Sequence, residues 1–280
     1  MPLTKEQIQG IENTIKDSLR KKFQTYDPET KNMPFHYRLL GRDRMALFSF
    51  IQSLNTTFGT SIFEPVAETL ASLNFEFAQK QYVVGDTISE QAQSEIQHIM
   101  NELTMGGNPN KAEEIERIRK VCNQGTMNKL KTVKVDLFAQ SADGTVHLFD
   151  LKTAKPNISD FKDFKRMLLE WIAIFLAKNH DAQVNSYIAI PYNPYEPKPY
   201  ERWTLKGMLD LDNELKVADE LWNFLGGDDS YLELLNCFER AGIELRPEID
   251  AYFSKFTYNN RIEGENARKS KVAGKSQLKL

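Results

Sequence analysis

No stretch of the 280-residue chain approaches the roughly 18 consecutive apolar residues that a membrane helix needs, and Met1 to Arg20 contain no apolar core of the signal-peptide kind. Neither a membrane span nor a secretory signal is expected, so the sequence reads as a soluble, cytoplasmic protein. Two cysteines, Cys122 and Cys237, and four histidines, His36, His98, His147 and His180, are scattered along it. That excludes a disulfide framework and offers no zinc-ligand spacing. Nucleotide binding has no support either: AGKS at Ala273 to Ser276 resembles the end of a phosphate loop, but Lys269 stands where the loop's first glycine belongs. A G-x-S-x-G elbow and a paired-histidine helix are both missing, which removes serine-hydrolase and zinc-protease readings.

What is present is a globular composition, 41% hydrophobic with 17 Phe, 10 Tyr and 3 Trp. Most of those aromatics recur at helical spacing and belong to a core. A net charge of −3 argues against a passive nucleic-acid coat, yet it hides a local field. Between Arg117 and Arg166 eleven Lys and Arg face five Asp, a net of +6 that leaves −9 elsewhere. Such a window is either a solvated surface or a footprint for an anionic partner.

Thr4 with Gln7 makes a capping box, and Ile8, Ile11, Ile15, Leu19 and Phe23 follow as one helical face. Helices are expected over Arg42 to Leu54 and Ile62 to Leu73, separated by a turn at Asn55 to Ser61. A strand is expected over Phe75 to Val84, then a helix capped by Thr87 and Glu90 running to Met105, then a charged helix over Lys111 to Cys122. After a β-hairpin, Phe161, Phe164, Leu168, Trp171, Ile172 and Phe175 mark a long amphipathic helix. A strand begins at Val184, and three further helices, Asn213 to Leu225, Ser230 to Ala241 and Pro247 to Phe256, are broken at Gly226-Gly227 and Gly242. From Asn266 onward the chain has five basic residues and no acid, the composition of a disordered tail. The pattern predicts an α/β chain of the α+β kind, with a central mixed β-sheet flanked by helices and helical N- and C-terminal portions. A single domain over 1–258, with its core at about 62–192, would then precede a basic tail over 259–280.

The hairpin VKVDLFAQSADGTVHLFDLKTAKPN, residues 133–157, holds the sharpest chemical signal. Alternation places Val146, Leu148, Asp150 and Lys152 on one face of its second strand. A two-residue turn at Asp143-Gly144 would set Asp136 opposite Leu151, pointing away from Asp150. A three-residue loop, Ala142-Asp143-Gly144, pairs Asp136 with Asp150 instead, and it is favoured because Gly144 occupies the left-handed position. The two carboxylates would then project from Cβ atoms about 4.5–5.5 Å apart. Like charges so placed need a cation. Lys152 can supply it, and so can Mg²⁺, which takes oxygen ligands, keeps water and binds phosphates. The bland alternative is a rim salt bridge between Asp150 and Lys152. Asp/Glu-x-Lys occurs six times in this chain, so the tripeptide alone decides nothing.

Asp136 followed by Asp150-Leu151-Lys152 on consecutive strands ahead of a long helix resembles the PD-(D/E)xK nuclease superfamily, with Val135 in place of the motif's proline. PFHYRLLG, TTFGTSIFEPVAETLA, KVDLF, FDLKTAKPN and LWNFLGGDDSYLELLNCFERAGIELRPEI, spread from Pro34 to Ile249, resemble the TdeIII-type type II restriction endonucleases. The resemblance implies a restriction-endonuclease-like fold and a homodimeric, Mg²⁺-dependent enzyme of the bacterial or archaeal cytoplasm. It would cut double-stranded DNA at a GGNCC-like site and be paired with a cognate DNA methyltransferase. It also implies Asp136 and Asp150 as metal ligands, Lys152 as the catalytic lysine, and a further glutamate from a preceding helix, Glu64 or alternatively Glu68. Lys155, Lys162, Lys165 and Arg166 are candidate phosphate contacts, the last three on the polar side of the long helix. Two rivals stand beside this reading: a structure-selective repair or recombination nuclease, and a non-catalytic DNA-binding module whose Asp/Lys cluster is structural.

Overall fold

A computed structural model describes residues 3–30, 32–152, 161–200 and 207–276, with side chains of the last stretch through Phe256. The chain divides into two compact units, one of residues 1–11 and 59–235, the other of 12–58 and 236–280.

The first unit is built on a five-stranded mixed sheet in the order β1-β2-β3-β4-β5. Strands β1 (Phe77–Ser89), β2 (Met127–Gln140) and β3 (Val146–Leu151) pair antiparallel, and β4 (Val184–Ile190) and β5 (Leu215–Val217) add on in parallel. Helices α5 (Glu90–Thr104) and α6 (Lys111–Val121) lie between β1 and β2, and α7 (Phe161–Lys178) makes the crossover from β3 to β4. The apolar stripe expected on α7 is buried against Val146, Leu148 and Ile188 of the sheet. The opposite face carries Phe149 and Tyr187, which meet Phe224 of α9 (Asp219–Gly226). A short helix α8 (Leu211–Glu214) leads directly into β5, an edge strand too short to announce itself by alternation. Mixed sheet and flanking helices are those the sequence predicts.

Several boundaries differ from expectation for local reasons. Ser89, not Thr87, caps α5, its Oγ accepting the Ala92 N–H at 3.1 Å. Gly85 lets β1 continue under α7, where an added Cβ would sit 2.6 Å from Ile174 Cγ2. The turn expected at Asn55 to Ser61 is helical: the α-helix runs through Phe58, and one π-helical turn, Gly59–Phe63, leads into α4 (Glu64–Asn74) with Pro65 in its first turn.

The second unit contains most of α1 (Lys5–Thr25), α2 (Pro34–Leu40), α3 (Arg42–Phe58) and most of α10 (Ser230–Ser276). The capping box of α1 forms: the Gln7 N–H donates to Thr4 Oγ1 at 3.3 Å. The break expected at Gly242 is absent, and Pro247 lies inside α10. Tertiary contacts on both sides hold the helix through these residues: Arg240 pairs with Glu12, Lys16 with Glu244 at 2.7 Å and Arg20 with Glu248 at 2.8 Å. Beyond the proline, Tyr252 packs between Phe23 and Phe50. The helical path runs to Ser276, into the basic stretch that composition marks as a tail. Among the described residues no helix is long and apolar enough to cross a membrane.

Candidate active site

The hairpin fixes the site's register. Its loop is Ala142, Asp143 and Gly144: the Ser141 N–H donates to Thr145 O at 2.9 Å, and Gly144 has φ +85°. Only glycine adopts that conformation freely. The pairs Phe138↔Leu148 and Leu137↔Phe149 follow, and their continuation sets Asp136 against Asp150, as the three-residue loop predicts.

Asp150, at the inner end of β3, is 5% exposed. Its Oδ1 accepts from Lys152 Nζ at 2.9 Å, while its Oδ2 is buried and accepts no hydrogen bond. Asp136 Oδ2 accepts the Leu151 backbone N–H at 2.8 Å. Its Oδ1 lies 3.4 Å from the Gln81 amide nitrogen, which makes a shorter bond of 2.8 Å to Glu64 Oε2. Glu64 opens α4 and is buried. Three carboxylates therefore converge beside the C-terminal end of β3, and the Lys152 ammonium, 5.3 Å from the Phe164 ring centroid, pairs with one of them.

Burial pushes the Asp150 carboxyl up to about 6; Lys152 opposes the shift and Asp136 adds to it. Burial also raises Asp136, against the Leu151 N–H and Lys152, and it raises Glu64, where both aspartates add and Gln81 opposes. Acids in this state gain from a bound cation, because its attraction offsets both the desolvation cost of their charge and their mutual repulsion. Among the described residues no three His, Cys, Asp or Glu side chains form a ready metal cage. Mg²⁺ does not need one, since it keeps several waters and is commonly held by one or two carboxylates. The buried, unbonded Asp150 Oδ2 and the adjacent Asp136 fit that requirement.

Of the two candidate glutamates the structure brings Glu64 to the site. Glu68 is committed to Lys80, accepting its backbone N–H at 2.9 Å and pairing with its ammonium. Lys162 is exposed on α7, and Arg166 donates to Gln97 Oε1 at 2.7 Å. Lys155 lies outside the described residues. Lys165 is a correction: it is not on a polar face but is wholly buried. It lies four residues after Phe161 and three before Leu168, in register with the apolar stripe, and α6 and α8 cover it. There it pairs with Glu114 and with Glu214 at 2.7 Å, and Lys111 pairs with Glu214 at 2.9 Å. No phosphate can reach it. Gln81 is the site residue the sequence did not reveal, because neither its type nor its spacing marks it.

Type II restriction enzyme HgiCII of Herpetosiphon aurantiacus is 25% identical over 221 residues, 77% of this chain and 80% of the relative. HgiEI of the same organism is 26% identical over 222 residues, 77% and 79% of the two chains. MjaII of Methanocaldococcus jannaschii is 26% identical over 263 residues, 83% of this chain and 69% of the relative. Residues 3–242 match the family described as type II restriction endonuclease, HinfI, and that span includes α4 and the strands bearing Asp136 and Asp150. This chain belongs to the HinfI family of type II restriction endonucleases.

Proposed function

We propose that the chain is a Mg²⁺-dependent endonuclease that hydrolyses phosphodiester bonds of double-stranded DNA at a specific site. The observation behind this is the meeting of Asp136 and Asp150 beside the C-terminal end of β3, with Lys152 on Asp150 and Glu64 drawn in through Gln81. Asp136 and Asp150 would hold the Mg²⁺. When bound, the ion supplies Lewis-acid stabilisation of charge at the phosphorus and lowers the pKa of an attacking water.

The chain's own groups have distinct parts. Asp150 fixes the Lys152 ammonium by a 2.9 Å bond, and the Phe164 ring supports it from one side, so the cation points to a defined place rather than sweeping through solvent. From there its N–H groups can orient the water that attacks phosphorus and donate to an oxygen that gains charge. Glu64, neutralised more readily than a free glutamate, can accept a proton from that water.

The narrower affinity to TdeIII-type enzymes, the PD-(D/E)xK grouping and a GGNCC-like target belong to the same proposal, supported by the sequence stretches and the hairpin's order of residues. So does a homodimer, because each chain has one such site among the described residues and a duplex has two strands to cut. The enzyme would act in the bacterial or archaeal cytoplasm beside a methyltransferase that protects the host's DNA. Digestion of unmethylated phage DNA by the purified protein tests the proposal, with Mg²⁺, with chelator, and with Lys152→Ala. Discrete fragments that need both the metal and Lys152 are expected. Intact DNA in every lane would overturn it.

A further inference from the structure

We propose that Gln81 is a positioning residue of this site: by leaving the ordinary strand conformation it turns its amide onto Glu64 and Asp136 and holds the α4 carboxylate beside the two aspartates. The inference rests on the nuclease reading of the site.

Successive side chains of a strand leave opposite faces. Lys80 and Gln81 nevertheless both reach α4. The Lys80 ammonium pairs with Glu68 and the Gln81 amide donates to Glu64 at 2.8 Å, so neighbouring strand residues reach two acids one turn apart on α4. This shared reach coincides with φ +52° at Gln81, a left-handed conformation that residues with a Cβ adopt rarely. No residue is inserted to absorb the distortion, because Lys80↔Leu137 and Tyr82↔Val135 keep the same register on either side. That register sets Gln81 opposite Asp136. Strained backbone of this kind persists where neighbouring contacts over-determine it, and it gathers at functional sites.

The amide's chemistry suits the place. Its NH₂ has two hydrogens and its neighbours, Glu64 Oε2 and Asp136 Oδ1, are both acceptors, so the nitrogen must face them. A neutral double donor lets two carboxylates approach without cancelling the negative charge that attracts a cation. A lysine there would cancel it, and an asparagine, easier in the left-handed region, is one methylene shorter.

The test uses Gln81→Gly, Glu64→Gln and the double variant of the full chain. Glycine removes the amide and takes the left-handed backbone freely, so folding is preserved and the thermal midpoint should not fall. Mn²⁺ affinity is read by calorimetry on metal-free protein, which needs no turnover, and kcat and KM are read by DNA cleavage. Gln81→Gly is expected to weaken Mn²⁺ binding and lower kcat, each by about 10- to 100-fold, with KM for DNA unchanged. In the Glu64→Gln background it should change either by less than about twofold, because the two act as one unit. Wild-type Mn²⁺ affinity in Gln81→Gly, or losses that multiply with those of Glu64→Gln, would overturn the assignment. Should the wild type bind Mn²⁺ yet cut nothing, the nuclease reading fails while the calorimetry still decides for or against Gln81. Absence of Mn²⁺ binding by the wild type would overturn both.

Discussion

The Asp136 carboxylate takes the backbone N–H of Leu151, at 2.8 Å, beyond the point where the β2–β3 pairing reaches Leu137↔Phe149. A continuing antiparallel ladder would have given that N–H to a main-chain carbonyl. The side chain thereby ends the hairpin and is itself fixed, with one oxygen committed and the other turned toward Gln81. The Asp150 carboxylate opposite is fixed by Lys152 on one oxygen and bare on the other.

Asp136→Ala and Asp150→Ala should therefore each reduce cleavage to background while DNA binding is retained or tightened. Removing a carboxylate removes both a cation ligand and a repulsion toward phosphate. Lys152→Ala should also lose cleavage but keep binding within a few fold, since a single cation accounts for about one phosphate contact. Gel-shift titration in Ca²⁺ beside a cleavage assay in Mg²⁺ checks all three. Loss of binding together with cleavage would make the residues structural.

Metal should stabilise the fold measurably. Glu64, Asp136 and Asp150 are all held above their ordinary carboxylate range, chiefly by burial. A cation that binds only the folded site, at about 100 times its dissociation constant, adds about 2.7 kcal/mol. Mg²⁺ should raise the wild-type unfolding midpoint over that in chelator and leave Asp150→Asn unchanged. An equal rise in both proteins would place the bound ion elsewhere.

The hairpin site was legible because glycine chemistry at Gly144 fixes a loop length, and loop length fixes which residues face each other. The α7 stripe was legible from its period. Charge alone puts Lys165 on the polar side, whereas the spacing of four and then three residues from Phe161 through Lys165 to Leu168 puts it inside. Gln81 lay beyond reach of pattern, since a left-handed glutamine has no signature in a single sequence. The run of α10 past Gly242 and Pro247 was hidden likewise, because ion pairs and Tyr252, distant in sequence, decide it.

His147 gives a pH dependence that owes nothing to the catalytic acids. It is buried on β3, bonded to Ser141 Oγ at 3.1 Å and Tyr187 Oη at 3.2 Å, with Asp143 and Lys216 as the charges that act on it. Burial lowers it from 6.5 to about 4. A histidine depressed in the folded state binds fewer protons there than when unfolded, so its contribution is complete above pH 6.5 and is lost as pH falls toward 4. The loss amounts to about 3 kcal/mol at the low end. Urea unfolding at pH 7 and 4.5 should show the wild type weakening more than His147→Gln. Parallel losses would mean the imidazole charges without penalty.

Lys165 and Lys162 provide the sharpest contrast on one helix. Lys162 is exposed, so Lys162→Ala should leave the unfolding midpoint alone and, if the residue meets a phosphate, lower the salt slope of DNA binding by about one. Lys165→Met should do the reverse. It deprives buried Glu114 of its ion-pair partner and leaves it the Asn110 N–H at 3.3 Å, while Glu214 keeps Lys111 at 2.9 Å and the Asp210 N–H at 2.8 Å. Breaking such a pair by removing one member costs about 3–5 kcal/mol, because the remaining charge is left without compensation. Burial already raises the Glu114 carboxyl, and without Lys165 it must take up a proton or stay charged in an apolar setting. Removing that acid as well, in Lys165→Met with Glu114→Met, replaces both charges by packing of similar size and should recover much of the loss. Urea unfolding of the single and double variants at low and high salt checks this. A double variant no more stable than Lys165→Met alone would show that the cluster's worth lies in its hydrogen bonds across α6, α7 and α8, not in charge compensation.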